Sequence, residues 1–418
     1  MSVNSIKDKS NLPNRFSQAI QDMIEADWME YVLFPRSEID SRIKTLQAQM
    51  GEMEGALLFH AVDMCYFSGT AQDGLVYIPR DGEPVVMMKR SLERAIQESP
   101  LDVRPLKNMR NLRSDLGVSE KATIGLEMDV LPCSFYFRVG KALEDARFVD
   151  VAEKIRHIRS VKSEFELGLI RQAARMLEKG LSSIPDFLVE GMTEVDLICR
   201  LESVMRNLGH QGSLRFRRFN SIVPLGHVMS GPQAAFPSFL ASPTGGKGTS
   251  LLFPQGAGFG KIKRHEPIFV DSVGIYNGYI ADATRIFSIG KLEQDLQDAY
   301  QASCEIEETI AGQLSAGRTG KEIFELSEAT GARLGYQDYL GGPVGGKCGF
   351  VGHGVGLELD EYPVIGPLEH ELKDNMTIAI EPKIIYPDRG VLGIEDTFLT
   401  TPKGAICLTQ IPRDIWQV

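Results

Sequence analysis

Apolar positions along this chain switch between a helical and an extended period. From Ser37 to about Met50, Ile39, Ile43 and Leu46 recur at helical intervals, and Gly55-Ala56-Leu57-Leu58-Phe59 then forms a short apolar run that predicts a buried strand. Similar runs follow at Leu75-Val76-Tyr77-Ile78, Val85-Val86-Met87-Met88 and Ile124-Gly125-Leu126-Glu127-Met128, with helical patterns between them. Arg80-Asp81-Gly82 separates two of these strands and predicts a local hairpin. Alternation of this kind predicts an α/β N-terminal domain, assigned to residues 30–160.

From Ala152 the pattern becomes strongly helical, and the domain boundary is set near Val161. In the run Phe165 to Leu181, Leu167, Ile170, Ala174 and Leu177 share one face of a helix. A second helix is expected from about Thr193 to Leu208, followed by a glycine-rich loop. Strands are then expected at Pro267–Val273 and Tyr279–Phe287, helices at Asp295–Leu314 and Gly320–Leu334, and closing strands from Met376 onward. This α+β pattern defines the second domain, residues 161–418.

Composition agrees with two domains, because 418 residues exceed the roughly 250–300 at which a single core stops growing. A net charge of -11 works against polyanionic partners, so no nucleic acid is expected. The six cysteines are scattered without a CxxC pair, as expected of reduced thiols in a cytoplasmic protein. Met1 to Arg15 is polar and does not read as a signal peptide, and no apolar stretch approaches the ~18 residues of a membrane span.

The glycine-rich stretch does not carry nucleotide chemistry. In Gly246-Lys247-Gly248-Thr249 a glycine follows the lysine where a phosphate loop needs Ser or Thr, and Gly256-Ala257-Gly258-Phe259-Gly260 brings its third glycine one residue early. A loop near a site is the better account.

The chemistry concentrates further on. Asp271 follows Ile268-Phe269-Val270, and Asp282 lies eleven residues later; a hairpin with Tyr276-Asn277-Gly278 near its tip would bring both carboxylates to one point. His353 lies in Gly352-His353-Gly354-Val355-Gly356, Glu381 ends Thr377-Ile378-Ala379-Ile380, and Glu395 follows Gly393-Ile394. Each acid interrupts a β-prone apolar run, where an ionised carboxylate is costly to bury without a partner. Metal coordination supplies one. Four carboxylates and one imidazole suit two divalent cations, and the oxygen-rich set favours Mn or Co over a thiolate-type zinc site, with Zn and Fe left open.

These motifs, with Tyr276, Gly278-Tyr279, Asp282-Ala283-Thr284-Arg285, Leu357-Glu358, Ile380-Glu381-Pro382 and Ile394-Glu395-Asp396-Thr397, resemble the pita-bread metallopeptidases. That family includes Xaa-Pro aminopeptidases, prolidases and methionine aminopeptidases. The resemblance runs from about residue 154 to the end, and more weakly over a creatinase/prolidase-like N-terminal domain. It implies that Asp271 chelates one metal, Asp282 and Glu395 bridge both, and His353 and Glu381 complete the set. It further implies Glu381 as a proton shuttle, a bridging water as nucleophile, short Xaa-Pro peptides as substrates, and a homodimer.

One departure concerns Asp360, which occupies the position where the peptidases carry a second histidine that hydrogen-bonds the substrate carbonyl. An ionised carboxylate cannot donate that bond. An upstream histidine about twenty residues before the first ligand is also missing; His227 lies 44 residues before Asp271 and His265 just before Glu266-Pro267, and both are read as structural. Asp360 therefore leaves three readings: a peptidase in which it is a protonated donor or binds the free amine, a small-molecule amide or amidine hydrolase, and a lyase similar to the dimethylsulfoniopropionate-cleaving branch with Asp360 as base. A non-catalytic binding module is disfavoured by the intact ligand set.

Overall fold

The computed structural model describes residues 32–240, 242–342 and 346–418. The polar leader Met1–Arg15 lies outside these residues, as do the first two positions, 30 and 31, of the expected first domain.

The first described part contains α1 (Arg36–Gln47), β1 (Gly55–Leu58), α2 (Ala61–Ser68), β2 (Gly74–Pro79), β3 (Val85–Met88) and α3 (Leu92–Glu98). It continues through β4 (Asp102–Pro105), α4 (Leu112–Leu116), β5 (Thr123–Leu126), α5 (Cys133–Ala142), β6 (Arg147–Asp150) and α6 (Ala152–Ser160). The strands form one mixed sheet in the order β4-β3-β2-β1-β5-β6. Strand β1 pairs antiparallel with β2 and parallel with β5, and β2 pairs antiparallel with β3 across the expected Arg80-Asp81-Gly82 turn. Leu57, Leu75, Ile124 and Leu126 enter the core on one face. Ala56, Leu58, Val76 and Ile78 enter the core on the other, against Ile39, Ile43 and Leu46 of α1. Burial on both faces is why these strands are continuous apolar runs.

The second part opens with α7 (Glu164–Ser182), α8 (Glu194–Asn207), β7 (Gly226–Ser230), β8 (Ile268–Tyr276) and β9 (Tyr279–Ser288). A capping box starts α7: the Ser163 hydroxyl accepts from the Glu166 N–H, and the Glu166 carboxylate accepts from the Ser163 N–H. Leu167, Ile170, Ala174 and Leu177 are buried, as their spacing requires. The helix lies so close to β8 that a Cβ on Gly274 would stand 2.0 Å from the Ala173 carbonyl oxygen.

Helices α9 (Gln294–Ala311) and α10 (Gly320–Arg333) follow. The remaining strands are β10 (Gly352–Gly354), β11 (Glu361–Ile365), β12 (Thr377–Ile380), β13 (Lys383–Tyr386), β14 (Gly390–Gly393), β15 (Asp396–Thr401), β16 (Gly404–Cys407) and β17 (Trp416–Gln417). One sheet has the order β17-β9-β8-β7 and another β11-β10-β12-β15-β16, with β13 and β14 forming a separate hairpin. The two sheets meet at a backbone bridge between Thr284 and Glu395. Their junction holds the expected ligand positions.

Candidate metal centre and active site

Asn277 and Gly278 both have positive φ (49° and 85°), as a tight two-residue hairpin turn requires. The resulting register sets Asp271 opposite Thr284 and Asp282 opposite Val273. The two carboxylates therefore lie diagonally on one face of the β8–β9 ladder. His353 is the middle residue of β10 and pairs with Ala379 of β12, while Glu381 follows the end of β12. Glu395 stands between β14 and β15 at the bridge to Thr284. All five expected ligands border one cavity of about 260 Å³, together with Asp360.

The cluster concentrates buried negative charge, which a cation would offset. Burial, then the Glu395 and Asp271 charges, push Asp282 well above the usual carboxylate range. Burial also pushes Glu395 up to about 7, although the Lys383 ammonium opposes it. Burial disfavours protonated His353, but the Glu381 and Glu395 carboxylates outweigh it and raise its pKa. The imidazole Nε2 lies 3.7 Å from Glu381 Oε1 and 3.9 Å from Glu395 Oε1, too far for hydrogen bonds. Asp282 Oδ1 is buried without any hydrogen-bond partner among the described residues. Ligand atoms of Asp282, His353 and Glu395 lie within 4.8 Å of one another and fit a divalent cation. The ammonium of Lys383 contacts Asp271 Oδ2 at 3.2 Å, Glu395 Oε2 at 3.1 Å and Glu381 Oε2 at 2.5 Å.

The residues flanking the ligands hold them in place. The Thr284 hydroxyl donates to Glu395 Oε2 at 2.8 Å. The Thr397 hydroxyl accepts from the Asp282 N–H and donates to the Asp282 carbonyl, both at 2.9 Å. Arg285, fully buried, donates to both oxygens of Asp396 and to the carbonyls of Glu395 and Ile411. Strand alternation thus turns Asp282 and Thr284 toward the cavity and Arg285 toward a clamp behind it.

The structure brings His227 beside the acid cluster despite its distance in sequence. It lies on β7 directly opposite Asp271, and the long loop between β7 and β8 absorbs the intervening residues. The ring is buried in the cavity wall, with Nδ1 3.4 Å from Thr244 Oγ1 and Nε2 without a partner. Burial lowers its pKa, with Asp271 opposing. The glycine-rich loop packs beside it: a Cβ on Gly256 would meet the His227 ring at 3.2 Å. His265, by contrast, is exposed before β8, as expected. Sequence reasoning also missed Lys383, two residues past Glu381 at the start of β13, and Arg218, which borders the cavity. The signal available for Lys383 was a lysine inside the apolar run Lys383-Ile384-Ile385.

Residues 42–161 match the creatinase/prolidase N-terminal domain, and residues 168–402 match metallopeptidase family M24. The Xaa-Pro dipeptidase of Pyrococcus furiosus is 28% identical over 357 residues, which cover 85% of this chain and 92% of that protein. The structure of an X-Pro aminopeptidase from Thermotoga maritima matches with a TM-score of 0.75 at 25% identity, covering 89% of this chain and 99% of that one. The prolidase structure from Pyrococcus furiosus matches with a TM-score of 0.73 at 25% identity, covering 88% and 99%. The family match extends over more than half of the sequence and contains every residue of the acid and histidine cluster, so this chain belongs to metallopeptidase family M24, with a creatinase-type N-terminal domain before a pita-bread catalytic domain.

Proposed function

We propose that this chain is a metal-dependent peptidase of the Xaa-Pro type, acting on short peptides through Asp271, Asp282, His353, Glu381 and Glu395. The observation that carries the reading is the convergence of these five side chains on the floor of one small cavity. At about 260 Å³ the cavity lies below the roughly 300–1,000 Å³ of drug-sized sites and suits a di- or tripeptide. Phe216, Val223, Leu225 and Phe350 line it with apolar surface suited to a pyrrolidine ring. Arg218 supplies a cation suited to a terminal carboxylate.

A bound divalent ion lowers the pKa of its water and polarises a carbonyl. The chain's own groups do the rest. Neutral His227, in the tautomer whose Nδ1 accepts from Thr244, carries its proton on Nε2 and donates it in a hydrogen bond to the carbonyl oxygen as that oxygen gains charge. This fills the donor role that Asp360 cannot. Asp360 accepts from the free amine of the substrate. Glu381 transfers a proton to the leaving prolyl nitrogen.

Manganese or cobalt fits the oxygen-rich donors best. The six free thiols fit a reducing, cytoplasmic setting, and no helix among the described residues is long and apolar enough to cross a membrane. A homodimer rests on the family resemblance and is tested by sedimentation. For the activity, metal-loaded protein is offered Xaa-Pro dipeptides, Xaa-Pro tripeptides and dimethylsulfoniopropionate in parallel. Proline release that a chelator abolishes and Mn or Co restores is expected; acrylate release without proline release overturns the assignment.

A further inference from the structure

Lys383 carries a positive charge into the centre of the candidate ligand set. Lys383 opens β13, just past Glu381, and its side chain reaches Glu381, while Ile384 enters the core. The side chain is 1% exposed. Its ammonium lies 2.5 Å from Glu381 Oε2, 3.1 Å from Glu395 Oε2 and 3.2 Å from Asp271 Oδ2, and 5.2 Å from the centre of the Phe269 ring. A buried ammonium without anionic partners is strongly unfavourable, so these contacts are not readily given up.

The ammonium thus holds one oxygen each of Asp271, Glu381 and Glu395, carboxylates for which a second cation would have to compete. Asp271 Oδ1 and Glu381 Oε1 stay outside its contacts, but the donors that cluster closely enough for one ion are Asp282, whose Oδ1 has no hydrogen-bond partner among the described residues, the His353 imidazole, and Glu395. Two divalent ions in addition to the ammonium would set five positive charges against the four carboxylates Asp271, Asp282, Glu381 and Glu395. We propose that the Lys383 ammonium takes the place of one cation of the dinuclear pair, so that this chain holds a single divalent ion on Asp282, His353 and Glu395. Asp271 then serves the ammonium rather than a metal. The proposal rests on the metal-dependent reading of the site and is independent of the substrate.

The test counts ions. Protein stripped with chelator is titrated with Mn²⁺ by calorimetry, dialysed and assayed for bound metal by mass spectrometry, and its Mn²⁺ spin-resonance spectrum is recorded. One ion per chain with an uncoupled six-line spectrum is expected. Lys383→Met keeps the apolar stem and removes the charge, and it is expected to raise the count to two, with an exchange-coupled spectrum. Two ions in the unaltered protein overturn the proposal while leaving the metal-dependent reading intact; no ion overturns both. A Lys383→Met protein that still binds one ion shows that the ammonium does not limit the count and overturns the proposal. If that variant does not fold, the unaltered protein's count and spectrum decide alone.

Discussion

His227 stands directly across the β7–β8 ladder from Asp271, although 44 residues separate them in sequence. His227 borders the same cavity as the acid cluster, and its buried Nε2 has no hydrogen-bond partner among the described residues. If it donates to the developing oxyanion, His227→Ala lowers kcat by about 100-fold or more with little change in KM. His227→Gln, which keeps an N–H donor, recovers part of the loss. Equal loss in both variants through KM alone contradicts the role.

Under the proposed function Asp360 offers a carboxylate to the free amine. Asp360→Asn is then expected to raise KM for free dipeptides by about 10-fold and to leave the kinetics on N-acetylated peptides unchanged. Steady-state kinetics on the two substrate classes decide it. A gain of Xaa-Pro hydrolysis in Asp360→His would instead show that the position limits activity for want of a donor.

Thr284 orients Glu395 through one hydrogen bond of 2.8 Å. Thr284→Val keeps the shape and removes the donor, and metal affinity is expected to fall roughly 10–100-fold, the usual consequence of losing a group that orients a ligand. Calorimetric titration with Mn²⁺ measures it; an unchanged affinity removes Thr284 from the site's support.

Glu361 forms buried ion pairs with Arg159 of α6 and with Lys162. Burial would raise its pKa, but these two charges overcome it and hold the carboxyl at about 2, against an ordinary value of 4.5. The folded state thus favours the ionised form. Its contribution, on the order of 3 kcal/mol, is complete above about pH 4.5 and is lost as pH falls toward 2. Thermal unfolding between pH 6 and 2 is expected to show a smaller fall in Tm for Glu361→Gln than for the unaltered chain. At pH 6 the variant is already less stable by roughly 3–5 kcal/mol, because Arg159 and Lys162 lose a buried partner.

Gly274 admits the Ala173 carbonyl against β8. A methyl at 2.0 Å forces strand and helix apart, so Gly274→Ala is expected to cost about 1–3 kcal/mol in denaturant unfolding. Because β8 carries Asp271, metal affinity falls with it.

The linear order of residues by itself determined the two-part α/β and α+β organisation, because strands buried on both faces and a helix buried on one leave distinct periods. It also determined the hairpin: Asn277-Gly278 demands a tight turn, and the spacing of Asp271 and Asp282 about it follows from strand geometry alone. His353, Glu381 and Glu395 were legible as acids and an imidazole in apolar runs that exclude unpaired charge. Only the tertiary structure decided which groups share the cavity with them. The partner of His227 depends on a strand register across a long loop, and no local period encodes such a pairing. Lys383 depends on it too: a lysine two residues from an acid is an ordinary surface pattern until the β10–β12 and β8–β9 ladders bring its ammonium against the carboxylates of the site.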